Sequence, residues 1–133
     1  MIVDDFIGTG TTAKDFIEAY EEKLKSENSN FFFITIACLT SGLKQIRDLG
    51  SEIYYSICQG RGISDSTRFQ DYALALNLID RIENRIDISA DYLRGFLQSE
   101  ALISLIRTPN NTFPAYWATR QKGGEKWPSP FPR

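Results

Sequence analysis

Apolar residues fall into two patterns along this chain, short continuous runs and longer stripes at helical spacing, and the two alternate through its first half. Ile2-Val3 resumes as Phe6-Ile7 around Asp4 and Asp5, the pattern of a short buried strand with a polar end. Gly8-Thr9-Gly10-Thr11-Thr12 follows. From Thr12 to about Ser26, Phe16, Ile17, Tyr20 and Leu24 share one helical face, with Glu18, Glu21, Glu22 and Lys25 on the other, and Thr12 with Asp15 reads as a capping box. Phe31 to Leu39 is a continuous run rich in β-formers, predicting a strand covered on both faces. A helix over 42–49 stopped at Gly50 and a strand over 53–58 complete a strand, helix, strand, helix, strand order. That order predicts a doubly wound α/β sheet of parallel strands, with ligands at their carboxyl ends.

Beyond Cys58 the regularity breaks at Gly60-Arg61-Gly62, a basic turn whose arginine reads as solvated. Phe69, Tyr72, Leu76, Ile79, Ile82 and Ile86 then keep helical spacing, predicting a packing helix from Asp65 to about Arg85. Ala101 to Arg107 suits a fourth strand or part of a helix. The remainder is rich in prolines, amides and aromatics, from Thr108-Pro109-Asn110-Asn111-Thr112-Phe113-Pro114 to Trp127-Pro128-Ser129-Pro130-Phe131-Pro132-Arg133. It predicts a rigid irregular extension over 108–133, packed on a domain over 1–107 through Trp117 and Trp127, or holding a ligand.

Composition narrows the chemistry. A chain of 133 residues makes one domain, and a net charge of −2 gives no general attraction to nucleic acid. From Arg107 onward, five basic residues face one acid, a local asymmetry that suits an anionic ligand. With no histidine, imidazole acid–base chemistry and His-ligated zinc are excluded. Cys38 and Cys58 lack metal or redox spacing and read as buried free thiols. No apolar run is long enough to span a membrane, and the first residues form a strand instead of a signal segment, so the cytoplasm is the expected location. Asn110-Asn111-Thr112 matches a glycosylation sequon only by coincidence in that compartment.

The strongest chemical signal is the turn after the first strand. Adjacent carboxylates at a strand end are costly unless a cation or hydroxyl groups meet them. Gly8, Thr9, Gly10, Thr11 and Thr12 supply unobstructed backbone N–H groups and three hydroxyls at the positive end of a helix, which favours a phosphate. A Walker A loop is excluded, since neither its second glycine nor its Ser/Thr accompanies Lys14. A phosphorylation receiver needs an Asp at a later strand end, where this chain has Leu39-Thr40-Ser41.

The stretch from Val3 to Thr12 resembles the phosphoribosyl pyrophosphate (PRPP) motif of the type I phosphoribosyltransferases: apolar residues, two acids, two apolar residues, a Thr/Gly loop. The resemblance implies that Asp4 and Asp5 are the catalytic pair, facing the ribose hydroxyls, and that Gly8, Thr9, Gly10, Thr11 and Thr12 wrap the 5′-phosphate. No residue is assigned to a metal; Mg²⁺ would arrive with PRPP. Purine-salvage members carry Asp where this chain has Gly8, which argues against that activity. The implied fold is a three-layer, Rossmann-like parallel sheet of the type I phosphoribosyltransferase kind.

In that family the motif strand lies mid-chain, whereas here it starts at residue 2. The expectation is therefore the C-terminal portion only, with a second polypeptide or a homo-oligomer supplying the pyrophosphate-gripping half. The Thr-Pro-Asn-Asn-Thr and Trp-Pro…Phe-Pro-Arg blocks are similar to phosphoribosyltransferase-like domains of bacterial conflict and antiphage-defence systems. The resemblance implies PRPP or nucleotide binding and, with the missing half supplied, transfer of ribose 5-phosphate to a base. The alternative is a non-catalytic nucleotide-sensing or interaction module of a defence system.

Overall fold

The computed structural model describes residues 1–27, 32–105 and 107–132, with the side chains of Leu24, Lys25 and Glu27 omitted. The readings that fall on Phe31, Ile106, Arg133 and those of Leu24 and Lys25 on helical faces lie outside what is described. Contacts divide the chain into two compact units, Met1–Gln59 and Gly60–Arg133, so the residues from Thr108 onward share a unit with those from Gly60.

The first unit is α/β. Strand β1 (Ile2–Ile7), helix α1 (Thr11–Glu27), strand β2 (Phe32–Leu39), helix α2 (Thr40–Asp48) and strand β3 (Glu52–Gln59) follow in sequence. The strands are parallel in the order β1-β2-β3, with Ile2, Phe33 and Ile53 aligned near one end and Ile7, Cys38 and Cys58 near the other. Ile7, Ala13, Phe33, Cys38, Ile46 and Ile53 form the core, with Ile17 and Leu43 packed against it. This is a Rossmann-like arrangement, built as the apolar runs require.

Several boundaries differ from the sequence expectation. Helix α1 starts at Thr11, with the Lys14 N–H bonded to the Gly10 carbonyl at 2.9 Å, so Thr12 lies inside the helix and cannot form the capping box with Asp15. Helix α2 starts at Thr40 and ends as expected near Gly50. There the Gly50 N–H reaches Arg47 and the Ser51 N–H reaches Ile46, a Schellman ending with glycine at φ +75°. Strand β2 is not covered on both faces. Ile34 and Ile36 are 38% and 55% exposed, alternating with Phe33, Thr35 and Ala37, which are buried. Helices α1 and α2 touch each other, so they share one side of the sheet, and these five elements do not form a doubly wound arrangement.

The second unit is mostly irregular. Its one long helix, α3 (Tyr72–Glu83), is shorter than the expected 65–85, because Asp71 caps it by accepting the Leu74 N–H at 2.8 Å. Upstream, the Glu100 carboxylate takes the N–H groups of Ile63 and Ser64 and the Ser64 hydroxyl, which holds that segment outside a helix. Ile86 is fully buried, yet it pairs with Gln121 in a β-bridge instead of extending α3. Ala101 to Leu105 forms neither strand nor helix, apart from one bridge from Ala101 to Thr112.

The aromatic-rich ending is packed within this unit. Trp117 Nε1 donates to the Thr112 carbonyl, Trp127 Nε1 donates to the Ala115 carbonyl, and Phe131 stacks on Tyr116. Among the described residues, no helix is long and apolar enough to cross a membrane.

Candidate functional site

The candidate site lies where β1 runs into α1, at the carboxyl end of a parallel strand, the edge at which such sheets bind ligands. Phe6 and Ile7 are buried and anchor the turn from below. Asp4 and Asp5, just before them, are exposed. Both lie within β1, and the Asp4 carboxyl is raised above its ordinary value, first by partial burial and then by the neighbouring Asp5 carboxyl. A cation or hydroxyl groups beside these acids would favour their charged forms.

The loop itself is tight. Gly8 and Gly10 are buried, and Gly10 holds φ +84°, a left-handed conformation that suits glycine. The hydroxyls of Thr9 and Thr11 lie 2.9 Å apart, and Thr11 and Thr12 stand exposed on the first turn of α1. The N–H groups that open a helix have no partners within it, so an anion placed over this turn finds donors and a favourable dipole. The structure therefore groups all seven expected residues, Asp4, Asp5, Gly8, Thr9, Gly10, Thr11 and Thr12, on one strand–loop–helix passage.

Sequence reasoning missed the second wall of this loop. The first turn of α2, Thr40-Ser41-Gly42, abuts it, and the Ser41 hydroxyl donates to the Gly8 carbonyl at 3.5 Å. The signal was available: Leu39-Thr40-Ser41-Gly42 closes an apolar run just as Ile7-Gly8-Thr9-Gly10 does, so both turns fall at the same sheet edge. Leu39, at the α2 N-cap, makes no side-chain capping bond.

Two further readings acquire geometry. Cys38 and Cys58 are both free, and Cys38 is buried, but they are register partners on adjacent strands, a juxtaposition their spacing did not suggest. Burial, then the contact with Cys58, pushes the Cys38 thiol up to about 12. Arg61 is not simply solvated. Its backbone N–H and its guanidinium both reach Asp65, at 2.9 Å for Nη2, and this pairing holds the Asp65 carboxyl below its ordinary value.

A family model described as PRTase-CE matches residues 1–133. The chain belongs to the PRTase-CE family, a family of phosphoribosyltransferase-type domains. No curated protein and no solved structure matches it. In this PRTase-CE chain the match extends far beyond the ten motif residues, through the whole of the irregular second unit. Membership supports a phosphoribosyltransferase-like function in general terms.

Proposed function

We propose that this PRTase-CE domain binds PRPP, or a nucleotide containing ribose 5-phosphate, in the β1–α1 turn. Asp4 and Asp5 accept hydrogen bonds from the two ribose hydroxyls. The N–H groups and hydroxyls of Gly8, Thr9, Gly10, Thr11 and Thr12 receive the 5′-phosphate. The observation that carries this reading is the shared passage: two adjacent acids on β1 that lead, through the buried Phe6 and Ile7, into a glycine–threonine loop at a helix N-terminus.

Among the described residues, no group of three or more potential ligands could hold a metal. Mg²⁺ would arrive with the diphosphate, since this ion typically binds through one or two carboxylates and substrate phosphates. When bound, it would neutralise charge on the departing diphosphate.

Calorimetric titration of the full chain with PRPP and Mg²⁺ tests the proposal, alongside an Asp4→Asn, Asp5→Asn double variant. The expected outcome is wild-type binding and at least a tenfold loss in the variant. Equal affinities, or no binding to the wild type, would refute the assignment. Release of diphosphate on addition of candidate bases marks a pentosyltransferase; binding without turnover marks a nucleotide sensor, as in a bacterial defence system.

A further inference from the structure

A Cβ added at Gly42 would stand 2.3 Å from the Gly8 carbonyl oxygen and 2.9 Å from Cγ2 of Ile7. A Cβ at Gly10 would stand 2.9 Å from Cβ of Gln45 and 3.3 Å from the Gly42 Cα. The obstructing atoms at Gly42 are backbone and a core side chain, neither of which yields as a flexible side-chain end does. Gly42 is buried inside α2, where alanine would favour the helix. Its left-handed freedom is not in use, because its φ is not among the positive ones. Close approach remains as its physical role.

The approach has a direction. The Gly8 carbonyl faces α2, where Gly42 leaves room for it and the Ser41 hydroxyl donates to it. A trans peptide is planar, with its C=O and the following N–H pointing opposite ways. The chain has no cis peptide among its described residues. Fixing the Gly8 carbonyl against α2 therefore turns the Thr9 N–H away from α2.

We infer that Gly42 is a positioning residue for the phosphate loop, acting through the Gly8–Thr9 peptide to aim the Thr9 N–H at a phosphomonoester. This rests on the ligand reading proposed above. A methyl group at position 42 would displace the Gly8 oxygen and rotate that peptide, spoiling the cradle without replacing any motif residue. Ser41 supports the same carbonyl more weakly, through one long hydrogen bond.

The test uses the full chain. Wild type, Gly42→Ala, Ser41→Ala and the exposed-site control Lys44→Ala are titrated with ribose 5-phosphate and with PRPP plus Mg²⁺, and the folded fraction of each is measured by circular dichroism. The expected result is a loss of tenfold or more for Gly42→Ala after correction for folded fraction, a loss of a few-fold for Ser41→Ala and none for Lys44→Ala. Folded Gly42→Ala that binds like wild type overturns the inference while leaving the ligand reading intact; absence of wild-type binding overturns both.

Because the alanine variant can lose its fold, a second readout uses wild-type protein. The Thr9 amide resonance should shift on saturation with ribose 5-phosphate more than the amides of β3. A bound ligand that leaves Thr9 unmoved refutes the inference.

Discussion

At the scale of single residues, the second unit is organised by buried carboxylates. Glu83 is fully buried, accepts the Arg94 N–H at 2.6 Å, and reaches the Ala115 N–H at 3.4 Å. Burial raises its carboxyl from the ordinary 4.5 to about 7, against the lowering effect of those two donors. The folded chain thus holds this proton where the unfolded chain releases it, so the contribution of Glu83 to stability is full below pH 4.5 and is lost as pH rises through 7. Urea unfolding followed by circular dichroism at pH 5 and pH 8 should show this loss, on the order of 3 kcal/mol, and Glu83→Gln should flatten it. An unchanged slope in the variant would show that another group titrates.

The motif acids stand out at this scale because their position before a Gly/Thr loop is unusual, and the titration proposed above tests their role. Glu83 and Glu100 do not stand out, since Glu83 sits among Asp80, Arg81 and Arg85 and reads as surface, while nothing local to Glu100 shows that it ties down Ile63 and Ser64. Nor did sequence announce the left-handed conformations of Arg94, Leu97, Gln98 and Glu100, residue types that ordinarily avoid them.

At the scale of elements, the first unit was legible to within two residues at α2 and one at β3, where apolar runs and Gly50 mark the ends. Helix α3 was not, because apolar spacing continued on both sides of it while polar ties ended the helix. Phe69 lies before its cap and is exposed, and Ile86 lies beyond its end. If Asp71 sets the start, Asp71→Ala should cost about 1 kcal/mol in chemical unfolding. Asp71→Ser should restore most of it. The Arg94 guanidinium also braces α3 from outside, bonding both oxygens of Asp80. That tie is long-range, and no local pattern reveals it.

Across the whole molecule, two different kinds of support coexist. The first unit stands on a parallel ladder over an apolar core; the second stands on side-chain ties such as Glu100 to Ile63 and Ser64, with short bridges between irregular segments. Patterning rules address the first kind and not the second, which is why the fold was readable up to Gln59 and sparse after it. Strand β2 has a hydrogen-bonded neighbour on each side, whereas β1 and β3 each have one. Native-state hydrogen exchange should therefore be slowest in β2, in residues such as Phe33, Ala37 and Cys38. Faster exchange there than in α3 would contradict this view of the core.

Trp117 and Trp127 are the only tryptophans of the chain, and both are held by indole hydrogen bonds inside the second unit. The molecule's intrinsic tryptophan emission is consequently a reporter of that unit. An optical melting curve recorded this way follows the carboxylate-tied half, and the β1–α1 turn at the other end of the chain needs a fluorophore of its own.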